Sequence, residues 1–164
     1  MKDFRKMSLA SLLKVSLDIM IIIGIIVYFL MSKQTLLGKV IEMSWSRFII
    51  TYILFTMGRI SIILILFNLR KIVNSLIVLT PFIKDNVARL KRIGILCFVV
   101  SIGYALNFLI NGQYKNFELA YVDASGIHTD IEFLIFFFAG WFILILSQVF
   151  KEAVKVKEES EFTI

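Results

Sequence analysis

A chain of 164 residues carries a net charge of +6, is 59% hydrophobic and holds sixteen phenylalanines but one cysteine. A soluble domain is nearer half apolar, so this excess, with a mean hydropathy of +0.89, points to lipid as the solvent. The lone Cys97 excludes an internal disulfide and a cysteine-cluster metal site. The basic residues gather at the ends of apolar segments, where topology signals sit, which disfavours nucleic acid as a direct partner.

Residues 1–14 are basic, with Lys2, Arg5, Lys6 and Lys14. The apolar run that follows is too long for a secretory leader and ends at Lys33 and Gln34 without a cleavage site. We read 12–31 as the first transmembrane helix, since about 20 residues at 1.5 Å each cross the hydrocarbon core. A polar connection, 32–47, places Trp45 at the membrane interface. The second span, 48–68, is broken only by Arg59, and its helix has the composition to continue toward Leu79.

The central segment, 69–92, holds the sole proline, Pro81, and six basic residues (Arg70, Lys71, Lys84, Arg89, Lys91 and Arg92) against one acid, Asp85. Thr80-Pro81 predicts a helix restart with Thr80 as the N-cap. Ile83, Val87, Leu90 and Gly94 then follow on one helical face, leading into a third span over 93–110. In 111–131, the alternation of Phe117, Leu119 and Tyr121 and the turn signal Ser125-Gly126 predict a short hairpin or lid. The fourth span covers 132–150. The tail, 151–164, reads as a charged helix or frayed end, with Lys155–Glu159 and Lys157–Glu161 at i,i+4 spacing.

With the N-terminus inside, thirteen Lys/Arg fall on the inner side and four on the outer, Arg59 lying within a span. That imbalance predicts both termini, the central segment and the tail in the cytoplasm, and 111–131 outside. The expected architecture is all-α: one integral membrane four-helix bundle over 1–164, without the internal repeat of an inverted-repeat transporter. Homo-oligomerisation is compatible with this layout.

Arg59 is the sharpest chemical feature. It lies about eleven residues, or roughly 16 Å of helix, from Arg70 and so near mid-membrane, where an arginine costs about 2.5 kcal/mol or more and must face protein or water. It reads either as a polar site inside the bundle, suited to an anionic ligand, or as a structural tie. Asp18 is the acid inside another span, but its height near Lys14 and the lean of helical side chains offset it from Arg59; Glu132, Tyr104 and Asn107 are rival partners. His128 with Asp123, Asp130 and Glu132 has no ligand spacing, and reads as a solvated acidic loop rather than a metal site. No Gly-x-Ser-x-Gly turn or second histidine supports a hydrolase, so neither catalytic residues nor a cofactor are expected.

Thr80-Pro81-Phe82, Lys84-Asp85-Asn86-Val87 and Arg89-Leu90-Lys91-Arg92-Ile93, together with the ending Glu158-Glu159-Ser160-Glu161-Phe162-Thr163-Ile164, resemble the bacterial four-span membrane family called domain of unknown function 2975. Two departures stand out: Ile83 where a polar helix cap is usual, and Ala153 where glycine is frequent. Members are often encoded beside a small helix-turn-helix protein, and the resemblance implies a membrane-embedded regulatory partner that binds or sequesters such a regulator. The expected contact residues are Pro81, Phe82, Asn86, Arg89, Leu90, Phe162 and Ile164. The alternative is a small-molecule binding, transport or immunity protein centred on Arg59.

Overall fold

In lipid, backbone N–H and C=O groups have no water to bond, so apolar stretches of this length satisfy them within helices. The computed structural model describes residues 2–37, 44–112, 121–123, 126–128 and 130–161. Its helices are α1 (Lys2–Leu37), α2 (Trp45–Ile77), α3 (Lys84–Ile110) and α4 (Glu132–Glu161). All four are long and apolar enough to cross a membrane. The all-α, four-span architecture is therefore the one the sequence predicts. A small antiparallel hairpin lies between α3 and α4, β1 (Tyr121–Asp123) against β2 (Gly126–His128), with Tyr121 opposite His128. Phe117 and Leu119, expected in its first strand, lie outside the described residues.

The central segment 69–92 is mostly helix. The 33 residues of α2 are about 50 Å long against a hydrocarbon core of about 30 Å, so with Trp45 at one interface its last turns project from the other. By the same measure the first turns of α3 and the end of α4 project on that side, where α1 begins and α4 ends. Only 78–83 is non-helical there.

This connection corrects the expected restart at Thr80-Pro81. Thr80 is used in closing α2: its N–H donates to the Ser75 carbonyl at 2.9 Å, and that of Leu79 donates to the Leu76 carbonyl at 3.2 Å. Leu79 takes the left-handed conformation (φ 61°) that this double closure requires. Helix α3 starts three residues later, capped by the extended Ile83 without a side-chain hydrogen bond. Asn86 does the holding instead, its amide nitrogen donating to Ser75 Oγ at 2.6 Å and to the Pro81 carbonyl at 2.8 Å.

The helices pack in sequence order, α1 on α2, α2 on α3 and α3 on α4. Among the described residues no other helix pair comes close, so the bundle is open, with α1 and α4 at its edges. The core centres on α3, through Leu90, Ile93, Cys97, Val100 and Ser101.

The α3–α4 seam repeats every seven residues. The Ser147 hydroxyl donates to the Val87 carbonyl at 3.0 Å. Gly94 faces Gly140. The Ser101 hydroxyl donates to the Phe133 carbonyl at 2.7 Å. Two helical turns separate successive contacts on both helices, the spacing of left-handed antiparallel packing. A Cβ on Gly94 would sit 2.8 Å from Leu144 and 3.1 Å from the Gly140 carbonyl, so only glycine lets the backbones approach this closely. Phe98 closes the seam edge-on against Phe137 and Trp141.

Candidate functional site

Two regions hold the polar groups that a membrane chain must account for. The first is the α1–α2 seam at the projecting end. Asp18 accepts from Arg70 through both carboxylate oxygens, and Lys14 Nζ donates to Asn74 Oδ1 at 2.9 Å. Further along, Gly24 abuts Ile63. This antiparallel register puts Asp18 opposite Arg70 and leaves Arg59 eleven residues away. The expected offset between Asp18 and Arg59 is thus present, and Arg70, which the sequence reading did not weigh, is the partner. At the membrane boundary and about 38% exposed, the pair is a modest clamp.

The second region is a crevice of about 180 Å³ between α2 and α3. Leu54, Phe55, Ile62 and Val100 form apolar walls; Gly58 and Gly103 widen it; Arg59, Tyr104 and Asn107 supply its polar groups. Arg59 lies fourteen residues from Trp45 and eleven from Arg70, roughly 21 Å and 16 Å along the helix, so its backbone is well inside the membrane. Its guanidinium leans over the Phe55 ring, 5.7 Å from the centroid. Nη1 is buried and has no hydrogen-bond partner among the described residues. A cation–π contact at that distance contributes about 1 kcal/mol. An arginine at a helix centre in a membrane costs about 2.5–3.5 kcal/mol. The ring contact therefore offsets only part of the cost.

Tyr104 is held by stacking on Phe136 of α4, 6.2 Å between centroids. Asn107 is buried, its carboxamide oxygen accepting from Asn111 Nδ2 at 2.7 Å. Tyr104, Asn107 and Asn111 share one face of α3. They form a polar track from the level of Arg59 to the end of the helix, on the membrane side away from the termini.

The expected contact surface in the central segment is rearranged. Asn86 is 1% exposed and Leu90 6%, so both belong to the chain's own packing. Their burial comes from contacts between helices: Asn86 bonds to Ser75 of α2 and to the Pro81 carbonyl, and Leu90 lies between Val87 and Gly94, which both meet α4. Arg89 is largely buried and pairs with Asp85 at 3.3 Å. Phe82 stays half exposed while its ring packs on Phe150 at 5.4 Å, and Pro81 is half-buried beside it. Phe162 and Ile164 lie outside the described residues. Where α3 and α4 project, Lys84, Val87, Lys151, Glu152, Val154, Lys155 and Glu158 line a groove of about 360 Å³, and Lys84 reaches Glu158 at 3.0 Å. The tail is helical to Glu161, and the expected pairs Lys155–Glu159 and Lys157–Glu161 form at 3.8 Å and 3.7 Å. A run of small residues every seventh position, Gly94 to Ser101 and Gly140 to Ser147, was the available signal for the α3–α4 seam.

No curated protein matches the chain, and no solved structure does. A family model does, over residues 34–164, which takes in α2, α3 and α4 and leaves nearly all of α1 outside. With that share of the chain matched, and four membrane-spanning helices arranged as described, the chain belongs to the family "Protein of unknown function (DUF2975)".

Proposed function

We propose that this protein acts by binding rather than catalysis: a multi-pass protein of the bacterial cytoplasmic membrane, both termini inside, that holds a small helix-turn-helix regulator on its projecting face. The carrying observation is the groove between α3 and α4, with Val87 and Val154 below a rim of Lys84, Lys151, Lys155, Glu152 and Glu158. It stands beyond the hydrocarbon on the side that carries Arg70, Lys71, Lys84, Arg89, Lys91 and Arg92, the side that basic residues keep in the cytoplasm. Half-exposed Phe82 adjoins it as an apolar contact. Lys151→Glu with Lys155→Glu alters exposed positions and is expected to leave the bundle folded. The native protein, purified in mild detergent at low salt, is expected to carry a stoichiometric helix-turn-helix protein that the double variant loses. Absence of any such protein at every salt concentration refutes the reading.

A second reading, a small-ligand site inside the membrane, is favoured by one observation: the buried Arg59 Nη1 that no described group satisfies.

A further inference from the structure

The Arg59 crevice has features that narrow what it would take. It lies in the seam of an open layer, so no other helix of the described chain closes over it. Phe55, Ile62 and Tyr104, on its walls, are each more than a third exposed at the depth of the hydrocarbon. Access is therefore available laterally, from lipid. A second approach follows the track Asn111–Asn107–Tyr104 from the membrane surface.

The charge and size restrict the occupant further. One guanidinium balances one negative charge. A phosphate monoester, at about −1.5 to −2, would bring uncompensated charge into low dielectric, whereas a carboxylate matches the guanidinium in charge and in its two-pronged geometry. A crevice of about 180 Å³ exceeds the cavity of about 150 Å³ that takes up a benzene ring. It has room for a carboxylate and several carbons, and its walls are mostly apolar.

We propose that the α2–α3 crevice binds a monocarboxylate with an apolar body, its carboxylate on Arg59 and its carbon chain along Phe55, Ile62 and Val100. This deepens the intramembrane reading of Arg59 and rests on it. Gly58 and Gly103 keep the space: a Cβ on Gly58 would meet nothing within 4 Å, and one on Gly103 only the Leu54 carbonyl at 3.7 Å. Tyr104, its ring stacked on Phe136, adds a further polar group to the crevice lining.

The test is saturable binding and thermal protection of the full chain in a neutral detergent, with oleate, butyrate, oleyl alcohol and nitrate as probes. The wild type is expected to respond to one or both carboxylates and not to the alcohol. Oleate alone identifies a membrane-borne ligand, and butyrate alone an aqueous one; either supports the proposal. Arg59→Gln is expected to weaken carboxylate binding by about tenfold or more, the loss of one charge-assisted bidentate contact. Arg59→Lys, which keeps the charge, retains a weaker response and controls for folding. Gly103→Leu is expected to abolish binding sterically, with helix content unchanged. An equal response to oleyl alcohol, or an Arg59→Gln protein that binds oleate and butyrate like the wild type, overturns the proposal. If nitrate protects through Arg59 and no carboxylate does, the carboxylate assignment falls and an anion site stands. If no probe acts through Arg59, both fall.

Discussion

Helix α3 uses glycine in opposite ways on its two sides. Toward α4, Gly94 meets Gly140 so closely that added side-chain atoms have nowhere to go, and the serines two turns either side lock the register. Toward α2, Gly103 with Gly58 on the facing helix leaves space that neither backbone fills. The same residue type closes one seam and opens the other. In lipid this difference carries weight, because apolar side chains gain little by leaving hydrocarbon; close packing and hydrogen bonds hold helices together. A seam that gives up packing at mid-membrane, around an arginine, has given up its main source of cohesion there.

The contrast can be broken most strongly at Gly140. Gly140→Val should destabilise the chain by about 1–3 kcal/mol, the cost of overpacking, seen as a lowered thermal midpoint in neutral detergent. An unchanged midpoint would mean that the α3–α4 contact is not close. Next is Asn86→Ala, which removes the hydrogen bond to α2 at the projecting end of the looser seam. A loss of about 2 kcal/mol is expected, with faster proteolysis at 78–83. Ser101→Ala and Ser147→Ala should each cost about 0.6 kcal/mol and add, since they lie far apart on the seam. The smallest effect is expected from Gly58→Ala with Gly103→Ala. Neither added methyl meets a steric barrier, and alanine is the better helix former, so the midpoint should hold or rise slightly. A fall as large as that of Gly140→Val would erase the distinction between the seams.

Much of the fold is legible in the sequence because length and hydropathy decide it. The four spans, the helical tail and its two ion pairs follow from periods and spacings within single helices. What spans two helices is less legible. Asp18 finds Arg70 only once the register of α1 on α2 is known, and that depends on a connection whose composition does not state its length in turns. Asn86 is polar and sits among basic residues, which reads as surface. Its burial follows from the chain reversing over 78–83, which brings it against Ser75 of α2 and the Pro81 carbonyl. Thr80-Pro81 carries a sound start signal that loses to the need to close α2. At the candidate site, Arg59 is visible from its depth alone. The crevice beside it is not, because it is made by glycines on two helices, and absent atoms leave no pattern in a one-dimensional string.

The neighbour-to-neighbour order of packing has a consequence for biogenesis. Each helix finds its partner in the segment just synthesised, so α1 and α2 can clamp through Asp18 and Arg70 before α3 leaves the ribosome. Helix α3 can then dock on α2, and α4 on α3, with no completed contact undone. Assembly in order of translation avoids waiting for distant segments, the slow step of folds with long-range contacts. It also leaves α1 at the edge, packed on α2 and lining neither the glycine seam nor the crevice, and the family match begins at residue 34.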